Sequence, residues 1–217
     1  MKLKIAFIVF DMACIHACYA NQSVEKNNHF YIGADSNYIW IDFKATLTND
    51  NASENITDNE SGLTGGFFTG YEWQMTHLTY DIELNYNYDN ISHIYEGQNS
   101  NCENILNDDL GIELHVGKSL LKNDYSFLIL GANLGNFEYK RYNASTGQQA
   151  YSNSYSEPGF TLGIGSDYPI KGNYKVHVDY KFSQYNEKDN ISGDQGQYDR
   201  SGYAKTNKIS LGIIRQF

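Results

Sequence analysis

Every second residue of HLTYDIELNYNYD (77–89) carries a polar group, and so does every second residue of YKVHVDYKFSQY (174–185). The first stretch sets Asp81 and Glu83 two apart, and the second sets Lys175, His177, Asp179 and Lys181 at the same spacing. Glu113 and His115 repeat the pattern in DLGIELHVGKSLL (109–121). Carboxylates, imidazoles and ammonium groups brought to one face could exchange protons, ligate a metal or neutralise one another.

Catalysis and metal binding each need more than this. A serine hydrolase needs a base beside its nucleophile and a third group to orient the base. The histidines are His16, His29, His77, His93, His115 and His177, and none is followed two places later by Ser; His77 with Thr79 comes nearest. Cys102 has no partner with metal-ligand spacing. The acids of NDNASENITDNE (Asp50, Glu54, Asp58, Glu60) match no calcium loop. No catalytic residue, cofactor or metal is therefore expected. His115 and His177 read as members of an interior polar network with Asp81, Glu83, Glu113, Lys175, Asp179 and Lys181.

Such a network must be positioned by strands. A period of two sends alternate side chains to opposite faces. In 77–89 the second face is Leu78, Tyr80, Ile82, Leu84, Tyr86 and Tyr88. Eight strand candidates follow from this pattern and the turn residues between them: 29–43, 62–73, 77–89, 109–121, 125–139, 159–170, 174–185 and 208–217. No helical period competes after the N-terminus. The connections alternate long and short, with Asn, Asp, Ser and Gly filling the long ones. This is an up-and-down meander with its long loops at one end.

Composition limits the partners. The 217 residues carry a formal charge of −10, which argues against nucleic acid. No run of 18 apolar residues offers a transmembrane helix, but a closed β-barrel spans a membrane with short alternating strands. The N-terminus reads as a signal peptide over 1–20. MKLK supplies charge, IAFIVF an apolar core, and ACIHACYA a tract with small residues for cleavage after Ala20. IHAC also suggests an acylated Cys18, but His16 fits such a signal poorly. Residues 21–28 form a short N-terminal segment, and the barrel occupies 29–217.

Alternation alone fits two solvents. In a soluble lipocalin-like carrier the apolar parity points inward; in a membrane barrel it faces lipid. Three observations favour lipid. Aromatics gather toward strand ends (Tyr86, Tyr88, Tyr139, Tyr142, Tyr168, Tyr185), where membrane interfaces would lie. Glycines recur within strands (Gly66, Gly70, Gly111, Gly117, Gly131, Gly163, Gly165), as a tight interior requires. The chain also closes a strand on Phe217.

The residues resemble a family as well. FYIGADSNYIWIDF, GGFFTGYEWQMTHLTYDIELNYNY and ISLGIIRQF are similar to the first, second-to-third and last strands of small eight-stranded outer-membrane barrels, the OmpA-like and opacity-type surface proteins of Gram-negative bacteria. Asn37 stands where that family commonly has Gly, and Arg215 where an aromatic is usual. The resemblance implies an eight-stranded antiparallel transmembrane β-barrel in the outer membrane, with Phe217 read by the barrel-assembly machinery. It also implies a structural, adhesion or host-interaction role through the long loops, with host surface molecules as partners and at most a narrow pore. No peptidoglycan-binding domain is expected after the barrel. The competing readings are a soluble carrier of an apolar ligand and a lipid-modifying barrel enzyme.

Overall fold

A computed structural model describes residues 28–49, 52–75, 78–96, 100–119, 124–187 and 199–217. The expected signal peptide (1–20, with Cys18) and residues 21–27 lie outside these.

Eight strands close into one antiparallel barrel in sequence order: β1 (His29–Asn49), β2 (Ala52–Gln74), β3 (Thr79–Glu96), β4 (Ser100–Lys118), β5 (Tyr125–Asn143), β6 (Gln149–Pro169), β7 (Tyr174–Tyr185) and β8 (Asp199–Gln216). Pairing of β1 with β8, from Tyr31↔Gln216 to Thr48↔Asp199, completes the ring. Closure leaves no sheet edge, so each strand's backbone groups find partners without water, as lipid demands. His29 and Phe217 lie at the short-turn end, which barrels of this kind keep in the periplasm. One of these turns, 170–173, is closed by Ile170 N–H donating to Tyr174 O at 3.0 Å, with Gly172 at φ 63°.

At the other end the strands run on. The expected long loops are largely paired backbone: β1 and β2 stay in register to Asn49↔Ala52, and pairing continues between β3 and β4 to Glu96↔Asn101 and between β5 and β6 to Tyr142↔Gln149, the last after a slip at Arg141/Tyr142. A ladder needs backbone pairing, not an apolar outer face, so segments rich in Asn, Asp and Ser pair here as well. Two irregularities mark the transition. β3 slips register between Tyr88 and Ile91, where Asn90 takes φ 47°, and β4 slips between Leu106 and Asp108.

The alternation question resolves in favour of lipid. Asp81, Glu83, Asn85, Asn87 and Asp89 are buried in the lumen, whereas Leu84, Tyr86 and Tyr88 are exposed outside. Tyr174, Val178 and Tyr180 of β7, which a soluble carrier would hold inside, also face out. Three of the expected girdle aromatics do not belong to the girdle: Tyr142 lies in the outward extension, and two others turn into the lumen. Tyr139 and Tyr185 point inward, 3% and 1% exposed, because each hydroxyl has a partner there: Cys102 Sγ at 3.0 Å and Asp109 Oδ2 at 3.1 Å. The outer girdle is built from others, including Tyr38 and Trp40 near the outward side and Phe30, Tyr71, Tyr174 and Phe217 near the short turns.

Glycines make room for the interior aromatics. Tyr31 pairs across the sheet with Gly70, Phe68 with Gly33, and Phe127 with Gly165 and Gly117. In each case a Cβ on the glycine would run into the ring or its strand. The ring lies flat over its neighbour's backbone instead, and an eight-stranded lumen is narrow enough to need that.

Candidate functional site

The lumen holds a continuous polar chain. Lys175 Nζ lies 2.9 Å from Glu72 Oε2 and 4.0 Å from Asp167 Oδ2. His177 bridges Asp167 (Nδ1–Oδ1, 2.8 Å) and Asp179 (Nε2–Oδ2, 2.8 Å). Lys181 Nζ continues to Asp179 Oδ2 at 3.2 Å and Glu113 Oε1 at 3.5 Å. His115 bridges Glu113 (Nε2–Oε2, 3.0 Å) and Asp81 (Nδ1–Oδ1, 3.0 Å). The Tyr31 hydroxyl closes the chain, 3.0 Å from both Asp81 Oδ1 and Glu83 Oε2; with one hydrogen to give, it serves one acceptor at a time.

Strand register explains these contacts. Asp81 stands directly opposite His115, and Glu83 opposite Glu113, on the inward faces of β3 and β4. Directly opposed side chains are within reach of each other. Both imidazoles face carboxylate oxygens on both nitrogens, a position fully satisfied only with a hydrogen on each. Phe127 lies between them, stacked on His115 at 4.7 Å and on His177 at 5.9 Å, where its face can support a cation.

All eight residues expected from the sequence point inward; Asp81, Glu113, His115, His177, Asp179 and Lys181 contact one another directly, Lys175 joins them through Asp167 and Glu83 through Tyr31. Further members were missed. Lys208 Nζ lies 3.1 Å from Asp89 Oδ1 and 3.4 Å from Asp109 Oδ2, and Asn87 donates to Asp109 Oδ1 at 2.9 Å. Asn37, at the position where the resembled family has Gly, donates to Asp35 Oδ1 and Asn87 Oδ1 at 2.9 and 3.1 Å. Asp89, Asp109, Asp167 and Lys208 share the inward parity of the strand candidates at 77–89, 109–121, 159–170 and 208–217.

Glu83, Glu113 and His115 place donor atoms within 4.8 Å of one another and could converge on a metal ion. Their chemistry is already engaged, however. Both His115 nitrogens, both Glu113 oxygens and Glu83 Oε2 have protein partners, and Lys181 brings a positive charge to the same spot. Neither lumen histidine is bonded to a serine hydroxyl.

Toward the outward end the lumen changes character. Ile39, Ile41, Phe43, Ile91, Leu106, Phe137, Tyr185 and Ala204 form a buried apolar cluster, with Tyr155 packed against it. Above it stand the strand extensions. Tyr142 donates to Glu103 Oε2 at 2.9 Å, which holds its phenol above the ordinary pKa. Glu60 accepts from Ser61 N–H at 3.1 Å and lies 3.3 Å from His93 Nδ1, contacts that lower its carboxyl pKa in that order.

A closed barrel with an apolar outside and a charged, self-neutralising inside is the arrangement of an outer-membrane protein, and the sequence comparison agrees: the outer membrane protein beta-barrel domain matches residues 12–217. The chain belongs to that family. A "22 kDa outer membrane protein" of Rhizobium leguminosarum bv. viciae is 28% identical over 191 residues, covering 87% of this chain and 77% of that protein. Among solved structures, the fold is similar to Ail, the attachment invasion locus protein of Yersinia pestis (14% identity, 85% of this chain and 99% of that one, TM-score 0.45). It is also similar to OprG from Pseudomonas aeruginosa (12% identity, 88% and 97%, TM-score 0.48). Like other members of this family, the protein resides in the outer membrane of a Gram-negative cell.

Proposed function

We propose that this outer-membrane barrel is a surface protein that acts through its outward strand extensions, in envelope structure or in adhesion to host molecules, and that its lumen is a plug. The observation that carries this reading is the doubly closed interior, with paired charges in the membrane band and a buried apolar cluster above them. With the lumen filled, the outward hairpins are the surface left to meet partners. Residues 1–20 would direct export, and Phe217, outward and 6.1 Å from Phe30 ring to ring, is placed where assembly machinery could read it.

Charge narrows the partner. Residues 44–60, 90–106, 138–157 and 186–205 hold twelve Asp and Glu against six Lys and Arg. An acidic surface repels polyanions and favours neutral or basic partners, with binding that weakens as salt rises. The test is display of the protein on a non-adherent Gram-negative strain, beside a variant with 144–148 shortened to Asn-Gly. The expected result is salt-sensitive binding to host cells that the variant loses while keeping its heat-modifiable folded form. Equal binding by both strains, or regular large conductance steps in planar bilayers, would contradict the reading.

A further inference from the structure

The lipid-facing surface is not uniform. Across β8, β1, β2 and β3, nearer the short turns, it sinks into an apolar groove of about 600 Å³. Small residues (Ala34, Thr69) lie between larger ones (Ile213, Ile32, Leu84 and Phe67, the last 71% exposed). The Thr69 hydroxyl is taken up by the Tyr31 carbonyl at 2.9 Å, so it presents no free donor to an apolar occupant. At its short-turn end stands Arg215, which also lines it. The Arg215 guanidinium lies 5.9 Å from the Tyr174 ring and 4.9 Å from the Phe217 ring, and no carboxylate among the described residues forms an ion pair with it.

A cation on the lipid face needs an anion at the headgroup level. A guanidinium matches a phosphate in charge and in its paired donors, and a concave apolar track beside it gives a hydrocarbon chain contact on more than one side. We propose that this groove is a binding site for one glycerophospholipid of the inner leaflet, with an acyl chain laid along Ala34 and Thr69 and the phosphate held by Arg215. Charge complementarity selects this occupant over a second copy of the chain, whose matching face would bring a second Arg215 rather than an anion.

The test uses the full protein reconstituted in vesicles of phosphatidylethanolamine and phosphatidylglycerol in equal parts, extracted in mild nonionic detergent and weighed by native mass spectrometry. Four forms are compared: unaltered, Arg215→Gln, Ala34→Phe (which fills the groove) and Ala132→Phe (lipid-facing on β5, away from it). Each is first shown to be folded by its heat-shifted migration. One retained phospholipid is expected on the unaltered and Ala132→Phe proteins, with retention about tenfold lower for Arg215→Gln, the scale of one charged hydrogen bond. Ala34→Phe should lower it as well. Equal retention by all four, equal loss from both Phe variants, or a lipid-free dimer as the main species would each overturn the proposal.

Discussion

Strand β1 has opposite polarity at its two ends. Near the short turns Phe30 and Ile32 face out, while Tyr31, Asp35 and Asn37 face in; beyond Trp40, Ile41 and Phe43 face in while Asp42 and Lys44 face the other way. β5 repeats the switch: Leu128, Leu130 and Leu134 are exposed on the outside of the membrane band, and Phe137 is buried inside the extension beside Glu138 and Lys140. In β1 and β5 the same parity faces the lumen on both sides of the switch; the solvent outside the strand changes. Where lipid surrounds the barrel the apolar side chains go out, and where water surrounds it they go in. The outward part is therefore built like a small soluble barrel standing on a membrane one.

Substitutions can break either half. The largest effect is expected from Lys181→Met, which leaves Asp179 and Glu113 without their shared cation and should cost about 3–5 kcal/mol. The urea midpoint of unfolding from vesicles would report it. Next comes Leu130→Lys at the middle of the lipid-facing run of β5, expected to cost about 2–4 kcal/mol by the same measurement. The matched change above the switch, Lys140→Leu, should stay within about 0.5 kcal/mol, because that side chain already meets water. Similar costs at 130 and 140 would erase the distinction between the two halves.

The smallest effect sharpens the boundary. Glu60 has a folded pKa below its ordinary value, so the stability it adds is present above the ordinary carboxylate pKa and is lost as pH falls through the lowered one. As an exposed pair with His93 it is worth about 0–1 kcal/mol at most. Protection of the Ser61 amide, taken relative to its intrinsic exchange rate at each pH, should fall in acid for the unaltered protein and be pH-independent over that range in Glu60→Gln. Protection lost throughout the membrane band would assign the acid sensitivity to the lumen instead.

The same switch explains what could be read from the sequence. β7 was legible to the residue at 174–185 because it lies within one solvent and alternates throughout. β1, β2, β3, β4, β6 and β8 extend six to ten residues beyond the expected spans at their outward ends, where the apolar parity reverses or fades and Asn, Asp and Ser suggest loops. Tyr139 and Tyr185 lie near strand ends, as girdle residues do, but on the inward parity. The polar chain was visible where charges sit two apart, as in Asp81–Glu83 and His177–Asp179–Lys181. The partners that complete it, Lys208 with Asp89 and Asp109, meet only through closure of the barrel, which no single strand displays.

The most direct test of a solvent-driven switch is a spin-label scan of β5. Single cysteines from 128 to 140, in a Cys102→Ser background, would be labelled in vesicles and probed with oxygen, which concentrates in lipid, and with a water-soluble nickel complex. The expected result is high oxygen access at 128, 130, 132 and 134, then a change at the same parity to nickel access at 138 and 140. Oxygen access that continued through 140, or that fell on the odd positions, would contradict it.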